Sequence, residues 1–196
     1  FLVGIKKGAD RLTQLVEDLL MVVRLDTGEL QREFDLLGTV QDSLSEMILR
    51  TAKVEASRAE SMGIKLELDV PTDLPPVLVH EYFLSDALSR LIDNAMKFSR
   101  KDDQRVLVKA NVVDDNVHIS VRDWGVGIAP EQLDRLFERF GEINRKQMEQ
   151  QGTGLGLVIV KALSECMDGQ VSIESSQQDP SGTTVTIKLP IADTQA

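Results

Sequence analysis

Asp123-Trp124-Gly125-Val126-Gly127 is the stretch on which the reading of this chain turns. A strand over Val117 to Asp123 presents Val117, Ile119 and Val121 inward and ends on the carboxylate. A carboxylate there, at the rim of a pocket, accepts a hydrogen bond from an exocyclic amine such as adenine carries. Guanine presents a carbonyl at the same place, and two facing acceptors cost roughly 1–3 kcal/mol, about tenfold to a hundredfold in affinity. Gly125 and Gly127 let the backbone lie flat against a planar base. Taken alone, the same residues also suit an ordinary aspartate–glycine turn after a hairpin.

Upstream, residues 81 to 99 have the period of a helix with two neighbouring stripes. Leu84, Leu88, Leu91, Ala95 and Phe98 form the core stripe. Phe83, Ala87, Arg90, Asn94 and Lys97 run along its edge. Asn94 and Lys97 therefore share a face, one turn apart. An amide oxygen can ligate Mg²⁺ without adding negative charge beside a triphosphate, and a lysine reaches phosphate as a point charge. Downstream, Gly152-Thr153-Gly154-Leu155-Gly156-Leu157 opens a helix that runs to Asp168 and stops at Gly169. The run has neither a P-loop ending nor the Gly-x-Gly-x-x-Gly spacing. It does place free backbone N–H groups of a helix start where phosphate can meet them, a contribution of about 0.3–1 kcal/mol per charge.

Around these motifs the chain alternates helices and hairpins. Residues 1 to 26 read as one helix, with Leu2, Ile5, Ala9, Leu12, Val16, Leu19 and Val23 in a heptad seam and Gly28 as its stop. Leu15, Leu20 and Val22 widen that face toward a bundle of more than two helices. Glu29 to Phe34 reads as a short strand. A long helix capped by Asp35 or Thr39 follows, reaching Ser61 with Val40, Leu44, Met47 and Ile48 on its buried side. Ile64 to Val70 alternates as a half-buried strand, and Val77 to Val79 is a brief one. Arg105 to Val113 pairs with the Asp123 strand, and Gln170 to Ser175 with Thr183 to Leu189. Residues 141–151 have no apolar period and read as a loop. Hairpins with helices confined to one face make an α/β two-layer sandwich with a mixed sheet, preceded by one long amphipathic helix.

Composition narrows the function classes. A formal charge of −10 over 196 residues argues against a nucleic-acid partner. The single Cys166 excludes an internal disulfide framework and suits a reducing, cytoplasmic setting. The apolar run Leu19 to Val23 falls far short of the roughly 20 residues of a membrane span, so no direct membrane contact is expected here. A chain beginning at Phe1 reads as a fragment of something longer.

In this order the boxes resemble the catalytic, ATP-binding domain of sensor histidine kinases, within the Bergerat-fold ATPases. Leu88 to Phe98 is similar to the asparagine box, Asp123 to Gly127 to the first glycine box, Phe137-Glu138-Arg139-Phe140 to the phenylalanine box, and Gly152 to Leu157 to the second glycine box. Residues 12–28 resemble the second helix of the dimerisation and phosphoacceptor hairpin. The resemblance implies three segments: 1–28 as half of that hairpin, 29–192 as the ATP-binding domain, and 193–196 as a tail. It implies ATP and Mg²⁺ as cofactors, with Asn94 as metal ligand and Lys97 on phosphate. Asp123, Gly125, Gly127 and Ile128 would surround adenine, with Thr183 nearby. Gly152, Gly154, Leu155 and Gly156 would face the phosphates. Residues 141–151 would form a lid in which Arg145 or Lys146 approaches the γ-phosphate. The implied partners are a second copy, through residues 1–26 and an upstream helix, and the receiver domain of a response regulator.

Two departures stand out. Arg90 occupies a position where many members carry a second asparagine, and the helix ending near Ser61 is about two turns longer than usual. Neither histidine has the family's acceptor context. His80 reads as a polar helix-start residue and His118 as an outward strand residue, so the acceptor is expected upstream of Phe1.

Overall fold

A computed structural model describes residues 2–100, 102–133, 135–137 and 154–192, with side chains left undescribed at 2–4, 6 and 7. The expected loop 141–151, Arg145, Lys146, Gly152 and the tail 193–196 lie outside the described residues. Helix α1 (Leu2–Asp26) leads through Gly28, at φ +68°, into α2 (Glu29–Leu37). Then follow β1 (Thr39–Gln41), α3 (Leu44–Ser61), β2 (Lys65–Asp69), β3 (Val77–Val79) and α4 (Glu81–Phe98). The second half comprises β4 (Arg105–Val113), β5 (Asn116–Asp123), the short α5 (Pro130–Leu133), α6 (Gly156–Cys166), β6 (Gln170–Ser176) and β7 (Gly182–Pro190).

The main sheet has the order β2-β4-β5-β7-β6. β2 runs parallel to β4 and the other neighbours are antiparallel, so the sheet is mixed. Period-two patterning explains why it is covered on one face only. Val106, Val108 and Ala110 of β4 are buried, as are Val117, Ile119, Val121 and Asp123 of β5 and Val185, Ile187 and Leu189 of β7. The register sets Val108 opposite Val121, and Ile119 opposite Ile187. Residues between them, including His118, Ser120, Thr184 and Thr186, stay partly exposed. Burial, and then Lys188 across the strand pair, lower the pKa of His118. The helical layer is α3, α4 and α6, with α4 in the middle. This is the two-layer α/β arrangement expected.

The central place of α4 widens its apolar face. Phe83 and Ala87, read as edge residues, have no exposure, because α3 and α6 flank both sides of the helix. Phe98, read as core, is 45% exposed because the helix ends at that residue. Leu68 is likewise exposed although it lies opposite buried Val108, because β2 is the edge strand of the sheet.

Two boundaries differ from expectation. Residues 29–34 are helical rather than extended. Leu30 and Phe34 satisfy i, i+2, i+4 alternation as well as helical i, i+4 spacing, and it is the helical pairing that buries both. The next helix begins at Leu44 rather than after Asp35 or Thr39, because Thr39–Gln41 pairs antiparallel with Val77–Val79. Val40 is exposed on that small sheet. The two apparent extra turns are thus α2 and β1, and α3 itself has 18 residues. Met62 and Gly63, at φ +73°, end it where expected.

Leu88, buried in the middle of α4, tests this packing. Leu88→Ala should destabilise the fold by about 2–5 kcal/mol, measured as a lower denaturant midpoint with unchanged slope.

Candidate functional site

The last residue of β5 sets the geometry. Asp123 is only 6% exposed, so it belongs to the buried layer rather than the rim expected from its sequence. Its Oδ1 accepts the backbone N–H groups of Gly125, at 2.7 Å, and Thr183, at 3.2 Å. Both of these bonds fall on Oδ1 and neither on Oδ2. Burial raises the pKa of this carboxyl, and the two N–H groups oppose that rise.

Neighbouring atoms crowd the turn so closely that glycine is required. A Cβ on Gly125 would lie 2.3 Å from the Phe98 carbonyl oxygen, so the end of α4 abuts the first glycine box. A Cβ on Gly127, which has φ +69°, would lie 2.0 Å from the Ser176 carbonyl oxygen. Serine hydroxyls, absent from the sequence reading, fasten this loop to the closing hairpin. Ser181 donates to the Gly125 carbonyl at 2.8 Å. Ser175 accepts the Ile128 N–H at 2.8 Å, donates to the Gly182 carbonyl, and lies 2.8 Å from the Thr183 hydroxyl. No spacing rule marks such serines, because hydroxyl-to-carbonyl pairing depends on which loops fold together.

On the other side, Gly156 opens α6 beside Asn94. A Cβ added to Gly156 would stand 3.6 Å from Asn94 Nδ2 and 3.9 Å from Oδ1. Gly154 takes φ +74° just before, and no side chain caps the helix start. Leu155 contributes backbone only, since its side chain is wholly buried. Asn94, half-buried, therefore faces a helix N-terminus, while one turn on, Phe98 meets the Asp123 loop. The asparagine helix thus adjoins both the Asp123 turn and the described start of α6.

Other positions have different partners. Lys97 pairs with Asp93, which also takes Arg58 from α3. Arg90 turns to Asp86 and to Asp18 of α1. His80 precedes α4, stacks on Phe83 and lies 3.6 Å from Glu33, in keeping with a helix-start residue. Trp124 lies under the guanidinium of Arg105, at 4.3 Å, and near that of Arg122.

A mixed sheet carrying a buried aspartate at a glycine turn, with an asparagine helix facing a second glycine turn, defines a class of ATP sites. The profile of the histidine kinase-, DNA gyrase B- and HSP90-like ATPases matches residues 80–193, more than half of the chain, and the chain belongs to this family. It is 30% identical over 191 residues to the non-motile and phage-resistance protein of Caulobacter vibrioides, covering 95% of this chain and 22% of that one. It is 32% identical over 190 residues to the histidine protein kinase DivJ of the same organism, covering 95% and 30%. The crystal structure of full-length ShkA in complex with AMPPNP aligns with a TM-score of 0.77 at 28% identity, over 99% of this chain and 39% of that one. The chain thus spans about a fifth to a third of the length of these curated relatives.

Asp123→Asn keeps an acceptor for the two N–H groups while replacing Oδ2 with a donor. ATP affinity should fall roughly tenfold or more by calorimetry, with the apo fold no less stable. A carboxyl whose folded pKa lies above its unfolded value withdraws stability as pH rises through that window. The variant's unfolding midpoint should therefore equal or exceed the wild type's at neutral pH, the difference closing in acid. Wild-type ATP affinity should fall as pH drops through the raised pKa.

Proposed function

We propose that this chain is the ATP-binding portion of a sensor histidine kinase, passing the γ-phosphoryl group of ATP to a histidine on an upstream helix and thence to an aspartate of a response-regulator receiver domain. The observation that carries the reading is the pairing of a carboxylate oxygen left open at Asp123 with an amide, Asn94, set against the start of α6. Asp123 Oδ2 accepts the adenine amine and discriminates against a carbonyl-bearing purine. Gly125, Gly127 and Ile128 line the base, with Thr183 holding the carboxylate from behind. Asn94 offers its amide oxygen to Mg²⁺, a fit because a neutral ligand suits a metal whose other positions go to phosphate and water. Bound Mg²⁺·ATP supplies the transferable phosphoryl group and the local positive charge an acidic chain needs. Gly152, Gly154 and Gly156 present backbone N–H groups to the phosphates, and Lys97, Arg145 and Lys146 are the cations proposed to reach them once nucleotide is present.

Residues 1–28 are proposed as half of a homodimerising hairpin. In support, Leu12, Val16, Leu19 and Val23 of the heptad seam are all exposed although α1 packs elsewhere through Met21 and Val22. A Bergerat serine kinase or ATPase clamp would have no use for such a seam entering from the N-terminal side, so the seam favours the histidine kinase.

Incubated with ATP, the 196-residue chain should bind nucleotide yet acquire no alkali-stable, acid-labile phosphate. The same chain extended by its upstream helix should acquire it, and phosphate on the shorter chain would overturn the assignment of the acceptor. Asn94→Asp, which adds charge beside the phosphates, should shift the Mg²⁺ titration of ATP binding on the order of tenfold. An unmoved titration would remove Asn94 as the ligand.

A further inference from the structure

Asp18 is the one carboxylate of α1 that is fully withdrawn from solvent, at 1% exposure, among a run of exposed neighbours. Its Oδ1 receives Arg90 Nη1 at 2.6 Å and Gln14 Nε2 at 3.0 Å, and Arg90 Nε reaches Asp86 at 2.9 Å. Burying a carboxylate is tolerable only when it is paired in this way. A second link lies beside the first. Arg24 pairs with Glu33, and Glu33 lies 3.6 Å from His80 at the start of α4. Met21 and Val22 are buried between these links, with Leu25 packed against the core.

The direction of this contact matters. Asp18, Met21, Val22 and Leu25 lie on one face of α1, and the exposed seam Leu12, Val16, Leu19 and Val23 lies roughly 140° round the helix. A helix packing in that seam is thus separated from the nucleotide helix α4 by α1 itself, about 10 Å across. Arg90 is also one turn before Asn94, so the link attaches to the helix that carries the proposed metal ligand.

We propose that Asp18 and Arg90 form an ionic latch that holds the ATP-binding domain on the outer face of α1, in a resting arrangement that must open before phosphoryl transfer. Arg90 is a positioning residue whose partner is α1, and opening exchanges the buried pair for solvent. Its effect on transfer rests on the histidine kinase reading; the docking itself does not.

The test uses the full-length protein with spin labels at Arg11→Cys and Lys53→Cys, both exposed positions on α1 and α3. Asp18→Asn should lengthen and broaden the label-to-label distance and raise autophosphorylation about fivefold or more, leaving ATP affinity unchanged. The exchange Asp18→Arg with Arg90→Asp gives the introduced guanidinium two carboxylates, the new one and Asp86, and should restore both the short distance and the low rate. Distances identical in wild type and Asp18→Asn would overturn the latch. A longer distance with a slower reaction would also overturn it, since the docked arrangement would then be the productive one. A longer distance without phosphohistidine in any form would remove the kinase reading while leaving the docking contact in place.

Discussion

One oxygen of one carboxylate organises the site. Asp123 Oδ1 takes two backbone N–H groups, from the turn that follows it and from the neighbouring strand. Those two bonds fix the orientation of the side chain. They also couple the first glycine turn to β7, whose register already places Thr183 opposite Asp123. The sheet thus builds the proposed recognition group into its own hydrogen bonding. The desolvation that raises this carboxyl's pKa is the same condition that makes a mismatched acceptor costly.

Most of this was legible because its signals are periodic or steric. Alternation in β5 places Val117, Ile119 and Val121 correctly, since a slip of one residue would expose all three. Asn94, Asp123 and the glycines were found as boxes, and the fold brings together those that are described. What failed was local and ambiguous. Leu30 and Phe34 fit both periods, and only packing against the rest of the chain selects the helix. Thr39–Gln41 has three residues, too few for a pattern, and its partner is nearly forty positions away. Asp123 was placed at a rim because a lone carboxylate is usually solvated; its two N–H donors come from backbone, which carries no sequence signature.

Arg90 shows how one position can be read correctly as an anomaly and still be incompletely understood. Its departure from the family pattern was visible, but its use was not. Asp18 lies 72 residues away on another element, and a charged residue beside Glu17 on an amphipathic helix looks solvated. Spatial proximity turns two unremarkable charges into a contact between α1 and α4.

The outer strands carry a further implication. β2 is only five residues long and bears Lys65, Glu67 and Asp69, all three engaged in ion pairs, Lys65 with Glu67 and Asp69 with Lys109 of β4. At the opposite margin, β6 is flanked by the segment that begins at Ile128, bonded to Ser175. Short, charged or flanked margins give little template for an added strand. Copies of this protein are therefore steered away from strand-to-strand stacking along this sheet, which leaves the exposed apolar seam of α1 as the surface proposed for self-association.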